Sequence, residues 1–180
     1  MENPNLSDLT ALIVEDQPGM RRVLAHILRE LGLREVLEAG SGKDGLSLCA
    51  EEKPDVVFTD AAMAPMSGLE MTLKIRSGEN GIDPYLPVIM ISSYSEVERI
   101  MEARDTGINE YLAKPVSVKL VFIRLMSVIN NPRSYVRAEE FFGPDRRRRE
   151  LDYAGRERRG QGSIQSDVKK PGDTRDEDRQ

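Results

Sequence analysis

Tryptophan is absent from the 180 residues, and aromatic side chains make up only 5% of them. A hydrophobic core must therefore be built from aliphatic and methionine side chains. A single cysteine, Cys49, excludes an intramolecular disulfide, and its helical spacing with Leu46 and Ala50 predicts a buried core position. With one histidine and one cysteine, the chain also lacks the ligand cluster of a structural zinc site.

Long apolar runs are missing as well. No stretch approaches the roughly 18 consecutive apolar residues that a membrane-spanning helix needs. The first ten residues contain neither a basic region nor an apolar run, which argues against a secretory signal. We therefore expect a cytoplasmic protein.

Charge is divided unevenly along the chain. Residues 131–180 contain 13 lysines and arginines and 11 aspartates and glutamates, which leaves 13 and 20 of the totals of 26 and 31 for residues 1–130. The net charge is therefore −7 in the first region and +2 in the second. This difference predicts two regions with different roles.

Apolar runs typical of buried strands alternate five times with helical patterns. The strand-like runs are 12–14, 36–37, 56–59, 88–91 and 111–113, and the helical stretches are 20–31, 41–53, 69–76, 95–105 and 117–129. The strand-like runs are continuously apolar, which indicates burial on both faces. We therefore predict an α/β fold in which a five-stranded parallel sheet is covered by five helices.

Polar residues follow four of the predicted strands at the point where each strand ends. They are Glu15 and Asp16 after the first strand, Asp60 after the third, Ser92 after the fourth and Lys114 after the fifth. In doubly wound sheets the reactive site lies outside the carboxyl ends of the strands. Each residue alone is common in turns and helix caps, but their combination favours one shared functional site.

The chemistry of this site follows from its charges. Three carboxylates at one place repel one another and raise each other's pKa unless a cation lies between them. Mg²⁺ is the natural cation, because it binds through one or two carboxylates together with substrate phosphate oxygens. One carboxylate would then attack phosphorus, while the metal, Lys114 and Ser92 stabilise the phosphoryl oxygens.

Four motifs occur in the same order as in receiver domains of the response-regulator family, which the chain resembles from about Asp8 to Asn130. The motifs are LIVED, VVFTD, VIMISS and EYLAKP. The resemblance implies a flavodoxin-like, doubly wound sheet with strand order 2-1-3-4-5. It also implies a phosphoryl donor, either a histidine kinase or a phosphotransfer protein, and a downstream protein partner.

The resemblance also implies roles for individual residues. Asp60 matches the phosphoacceptor. The expected Mg²⁺ ligands are Glu15, Asp16, Asp60 and the backbone carbonyl of Ala62. The residues expected to contact the phosphoryl group or to switch with it are Ser92, Lys114 and Tyr111.

Two positions depart from the family pattern. Ala64 stands where the family usually has proline, with Pro65 next, so the path of this loop is open. Ser92 stands where threonine is more common in the family, and its hydroxyl can make the same hydrogen bond with less rotamer bias.

Two alternative functions are less well supported by the sequence. Phosphatases with an aspartyl nucleophile carry a second acid two residues later, where this chain has Ala62, so we expect no enzymatic activity. A pseudo-receiver that only binds partners would lack one of the acids or the lysine, and both are present. His26, the only histidine, lies off the apolar stripe of its helix, and we interpret it as an exposed helical residue.

The chain divides into three predicted regions. We assign 8–130 to the receiver domain, 131–142 to an aromatic extension expected to dock on it, and 143–180 to a charged, disordered tail. The tail lacks the periodic apolar positions of a helical DNA-binding output domain. The sequence therefore favours a stand-alone response regulator that acts by binding partners.

Four consecutive arginines distinguish the tail: Arg146, Arg147, Arg148 and Arg149. They are interpreted either as part of a solvated, charge-balanced segment or as a binding site for an anionic partner. Some receivers with arginine-rich tails, which this chain resembles, bind cyclic di-guanylate. An alternative function is therefore a receiver-type adaptor whose tail binds an anionic dinucleotide.

Overall fold

The computed structural model describes residues 5–93, 103, 105–131, 133–138 and 141–145. Five strands form one parallel sheet in the order β2-β1-β3-β4-β5. They are β1 (Thr10–Val14), β2 (Glu35–Ala39), β3 (Val56–Asp60), β4 (Val88–Ser92) and β5 (Glu110–Ala113). This arrangement confirms the predicted parallel sheet and the strand order that the resemblance implied.

Four helices are described around the sheet. They are α1 (Pro18–Glu30), α2 (Gly42–Glu52), α3 (Gly68–Ser77) and α4 (Val118–Asn130). The helix predicted over 95–105 lies outside the described residues except for Ala103 and Asp105. None of the helices in the described part of the chain is long and apolar enough to cross a membrane.

The core is divided by the sheet into two apolar clusters. Ala11 and Ile13 of β1 belong to the cluster that packs against α1 and α4, whereas Leu12 and Val14 belong to the one that packs against α2 and α3. Every residue of β1, β3 and β4 is buried. The continuous apolar strands of the sequence therefore reflect a sheet that is covered on both faces.

Side-chain caps begin three of the four described α-helices, with Ser117 capping α4 through the backbone N–H of Leu120. The Ser41 hydroxyl accepts a hydrogen bond from the backbone N–H of Asp44 at the start of α2. At α3, Ser67 and Glu70 form a complete capping box, which the sequence analysis did not identify. Because α3 starts shortly beyond the end of β3, this cap fixes the loop that follows Asp60.

An antiparallel hairpin follows α4. It consists of β6 (Tyr135–Ala138) and β7 (Phe141–Pro144), with Tyr135 paired to Pro144. Regular structure was not predicted for this segment. The boundary drawn at Gly143 lies inside β7, where Gly143 and Pro144 are buried, so the ordered chain continues past that boundary.

Candidate functional site

The carboxyl ends of three strands bring a lysine and two acids into direct contact. Glu15 follows β1, Asp60 is the last residue of β3, and Lys114 follows β5. The Lys114 Nζ lies 3.0 Å from Glu15 Oε2 and 3.1 Å from Asp60 Oδ1. These residues are far apart in the sequence, and the parallel sheet places them together because its strands all end at this edge.

Asp16 completes a group of three carboxylates. One carboxylate oxygen from each of Glu15, Asp16 and Asp60 lies within 4.8 Å of the others. Glu15 and Asp60 are 1% and 5% exposed, while Asp16 faces solvent. A set of hard oxygen donors that opens to solvent on one side suits Mg²⁺, which keeps several of its water ligands.

The charges of the site influence one another. Burial raises the pKa of the Glu15 carboxyl, and the neighbouring Asp60 charge raises it further, while the hydrogen bond from Lys114 acts in the opposite direction. Burial on its own would lower the pKa of Lys114, but its hydrogen bonds and ion pairs with Glu15 and Asp60 outweigh that effect and raise it. Lys114 therefore remains an ammonium group at neutral pH.

Hydrogen bonds and close backbone packing hold the two buried acids in place. The Glu15 carboxylate accepts a hydrogen bond from the backbone N–H of Gln17 at 3.2 Å, and Arg21 donates to the Glu15 carbonyl at 2.7 Å. Gly68 packs directly against the carbonyl oxygen of Asp60, where any Cβ would collide with it. The contact between Arg21 and the Glu15 carbonyl could not be predicted from the sequence, because it depends on how α1 turns back toward β1.

The remaining predicted site residues lie at or near the same edge. Ser92 ends β4, is 2% exposed, and its carbonyl accepts a hydrogen bond from the N–H of Lys114 at 2.8 Å. Tyr111 lies in β5 and is partly buried against the cluster beneath α2 and α3. Ala62 is exposed two residues after Asp60. The predicted roles of these three residues stay predictions.

Arginines 146 to 149 lie outside the described residues. The proposed role of Arg146, Arg147, Arg148 and Arg149 in anion binding therefore also stays a prediction. His26 is exposed, as predicted, and Cys49 is 2% exposed.

The fold and the acidic edge together define a doubly wound α/β protein with an oxygen-donor site for a divalent cation. Comparison with known proteins makes this class more specific. The sequence pattern of the response regulator receiver domain matches residues 11–125. The chain therefore belongs to the response regulator receiver domain family, which acts in two-component signalling.

Curated relatives include two chemotaxis proteins. The chain is 36% identical over 108 residues to chemotaxis protein CheY-3 of Vibrio cholerae, an alignment that covers 60% of this chain and 82% of the relative. It is 32% identical over 110 residues to chemotaxis protein CheY of Pseudomonas aeruginosa, covering 61% of this chain and 87% of the relative.

Solved structures show the same fold. Chemotaxis protein CheY4 of Vibrio cholerae has a TM-score of 0.62 and 25% identity, over 67% of this chain and 98% of that chain. The receiver domain of a sensor histidine kinase from Pseudomonas aeruginosa has a TM-score of 0.58 and 27% identity, over 67% of this chain and 95% of that chain. The latter structure has a magnesium ion coordinated in its active-site cleft.

Proposed function

We propose that this chain is a stand-alone response regulator that accepts a phosphoryl group on Asp60. The proposed donor is a histidine kinase or a phosphotransfer protein, and Mg²⁺ would be held by Glu15, Asp16, Asp60 and the carbonyl of Ala62. The observation that carries the proposal is the position of Lys114, whose Nζ contacts both Glu15 and Asp60 beside the third carboxylate. An ammonium group placed there pairs with the oxygens of a group attached to Asp60.

Each side chain has a distinct part in the transfer. A carboxylate oxygen of Asp60 forms a bond to phosphorus as the bond between phosphorus and the donor's leaving atom breaks. Bound Mg²⁺ would neutralise charge on the phosphoryl oxygens. Lys114 pairs with one of those oxygens, and the Ser92 hydroxyl donates a hydrogen bond to another. A carboxylate nucleophile of this kind needs no general base.

The output of this reaction is a change in partner binding. Ser92 and Tyr111 lie on adjacent strands, β4 and β5, and a movement of Ser92 toward the phosphoryl group leaves space for the Tyr111 ring to follow. The affected surface would be that of β5 and α4, which meets a downstream protein partner.

An aspartyl phosphatase is the competing function at this site. Such an enzyme needs an acid near the nucleophile to protonate the leaving group. Ala62, two residues after Asp60, has no such group, so the phosphorylated state is expected to last long enough to act as a signal.

Phosphorylation of Asp60 is tested directly with a small phosphodonor. Incubation with acetyl phosphate and Mg²⁺ should add one acid-labile phosphoryl group, measured as intact mass. Asp60→Asn should remove it, because an amide is a poor nucleophile, whereas Asp8→Asn at an exposed position should not. Equal phosphate uptake by the parent and the Asp60→Asn variant would contradict the assignment.

A second candidate function concerns the arginine-rich tail. The hairpin ends at Pro144, and the four arginines begin two residues later, so a dense cationic segment follows directly from a folded anchor. Guanidinium groups pair with phosphates and stack on bases, which suits an anionic dinucleotide such as cyclic di-guanylate.

The tail function is tested by truncation. Calorimetric titration with cyclic di-guanylate should show binding to the full chain and none to a chain ending at Asp145. Asp60 phosphorylation should be the same in both, because this truncation keeps the hairpin. Equal heats for both proteins would rule out the tail as the binding site.

A further inference from the structure

The hairpin docks at the amino ends of β4 and β5, opposite to the carboxyl ends where Asp60 lies. We call the hairpin together with its flanking residues, 133–138 and 141–145, the clasp. The hydroxyl of Tyr135 donates a hydrogen bond to the carbonyl of Tyr85 at 2.9 Å and accepts one from Asn109 at 3.2 Å. The rings of Tyr85, Tyr135 and Phe142 lie with centroids 4.9 to 5.5 Å apart. The clasp therefore contacts the segments that lead into β4 and β5.

Arg76, at the end of α3, lies beneath this contact. Its side chain is buried, and its guanidinium donates four hydrogen bonds of 2.8 to 3.0 Å. The acceptors are the carbonyls of Pro84, Leu86 and Gly107 and the side-chain oxygen of Asn109. The guanidinium carbon also lies 5.4 Å from the centroid of the Tyr135 ring. One cation thus joins α3, the entries to β4 and β5, and the clasp.

A second polar contact holds the first residue of β5. The buried carboxylate of Glu110 accepts hydrogen bonds from Ser127 at 3.0 Å, Arg124 at 3.2 Å and Arg133 at 2.8 Å. Ser127 and Arg124 belong to α4, and Arg133 belongs to the clasp. The start of β5 is therefore fixed simultaneously to the helix that covers it and to the clasp that follows that helix.

The short length and edge position of β5 explain why such anchoring matters. Among the strands that the structure describes, β5 lies at the end of the sheet order, and its ladder partner is β4. It has four residues, and Lys114 follows directly, so roughly 13 Å of extended chain separates the anchored start from the lysine. A displacement at Glu110 would therefore reach Lys114 through a single short strand.

We propose that the clasp is a positioning element for the phosphorylation site, which acts through Glu110, Asn109 and β5 on Lys114. The inference rests on the proposed role of Lys114 in phosphoryl binding. Anchoring β5 reduces the freedom that Lys114 loses when it pairs with a phosphoryl group, which is preorganisation. The clasp lies beyond residue 125, where the family match ends, so it adds to the matched domain.

Two titrations separate positioning from a merely structural role. The first measures Mg²⁺ alone, for which Lys114 is not a ligand. The second measures beryllofluoride, a phosphoryl mimic, at saturating Mg²⁺, where Lys114 pairs with the bound group. Both use the full chain with Arg133→Gln, which removes the charged donor to Glu110, and with Tyr135→Phe, which removes only the hydroxyl.

The expected result is a selective loss. The dissociation constant for beryllofluoride should rise about threefold to tenfold in both variants, the range seen for mutations that change coupling from a distance. The dissociation constant for Mg²⁺ should stay within about twofold of the parent value, since the carboxylates are untouched. Arg133→Lys, which keeps a cation near Glu110, should recover part of the affinity. Arg137→Gln is the matched control, because Arg137 is exposed on the same hairpin and lies over the Phe142 ring.

Either of two outcomes would overturn the inference. Parent-like beryllofluoride affinity in both variants would show that the clasp does not act on Lys114. A parallel loss of Mg²⁺ and beryllofluoride affinity would show a general structural role. A parent protein that binds no beryllofluoride would instead overturn the proposed function, and the inference with it.

Discussion

Charged side chains cluster both at the carboxyl ends of the strands and at their amino ends, but the groups that pair with them differ. At the carboxyl edge, Lys114 pairs with Glu15 and Asp60 while Asp16 adds a third carboxylate that faces solvent. At the opposite edge, the four hydrogen bonds of Arg76 all end on carbonyl or amide oxygens of the protein itself.

This difference separates an acidic cluster that suits a cation from a buried cation whose hydrogen bonds are made within the protein. Lys114 leaves the three carboxylates with an excess of negative charge, which favours the binding of a divalent cation. A buried cation with nearly all its donors satisfied has little further affinity for a ligand, so the opposite edge is built to hold elements together. Charge clustering alone would not separate these two cases.

The largest expected effect is a loss of stability when Arg76 is replaced. Arg76 lies beneath the hairpin, at the amino ends of β4 and β5, which we call the hairpin edge. Arg76→Met should reduce the free energy of unfolding by about 3 kcal/mol, because four buried acceptors lose their donor. Urea denaturation of the full chain measures the change. The control is Arg22→Met at an exposed position of α1, which should change stability by less than about 0.5 kcal/mol. Similar destabilisation by both substitutions would contradict the idea that Arg76 is a structural centre.

A smaller effect is expected at the acidic edge, where bound Mg²⁺ should stabilise the folded protein. Mg²⁺ should stabilise the parent by about 1.4 kcal/mol at ten times its dissociation constant, because it binds only the folded site. Asp16→Asn should remove most of this gain by replacing the solvent-facing carboxylate with a neutral amide. Thermal unfolding with and without Mg²⁺ measures the shift, and Asp8→Asn serves as the control. If the Asp16→Asn protein keeps the full Mg²⁺ shift, Asp16 is not a ligand.

The smallest expected effect concerns Ser92, which should couple phosphorylation of Asp60 to a change in β5. Ser92→Ala should still be phosphorylated on Asp60, since the nucleophile is intact. The response of the β5 amides to phosphorylation, followed by NMR, should be reduced by the loss of one hydrogen bond, worth about 1 kcal/mol. Amide shifts at Tyr111 equal to those of the phosphorylated parent would exclude Ser92 from the switch.

The sheet and the acidic edge could be predicted because both depend on local signals. Continuous apolar runs mark β1, β3 and β4, and the carboxyl ends of parallel strands meet at one edge. The sequence alone was therefore enough to place Glu15, Asp60 and Lys114 together. Val23, an apolar residue within the helix predicted over 20–31, is 49% exposed, so the apolar pattern of α1 extends beyond the residues that reach the core.

The hairpin edge could not be predicted, because its contacts are not local. Arg76 appears in the sequence as a polar residue at the end of a weak helix. Its burial depends on carbonyls of Pro84, Leu86 and Gly107, which only the folded chain brings together. The strands β6 and β7 are equally hard to recognise in the sequence, because each has only four residues, Arg137 interrupts β6, and β7 ends in Gly143 and Pro144, which are uncommon in strands.

The aromatic cluster under the hairpin also bears on how the chain tolerates shortening. A chain cut after α4, near the end of the family match, would lose Tyr135 and Phe142 and uncover the Tyr85 ring that they contact. It would also leave the Glu110 carboxylate without Arg133. Newly exposed apolar surface beside an edge strand promotes self-association. We therefore expect a chain cut at Asn130 to associate with itself more readily than a chain that ends at Asp145.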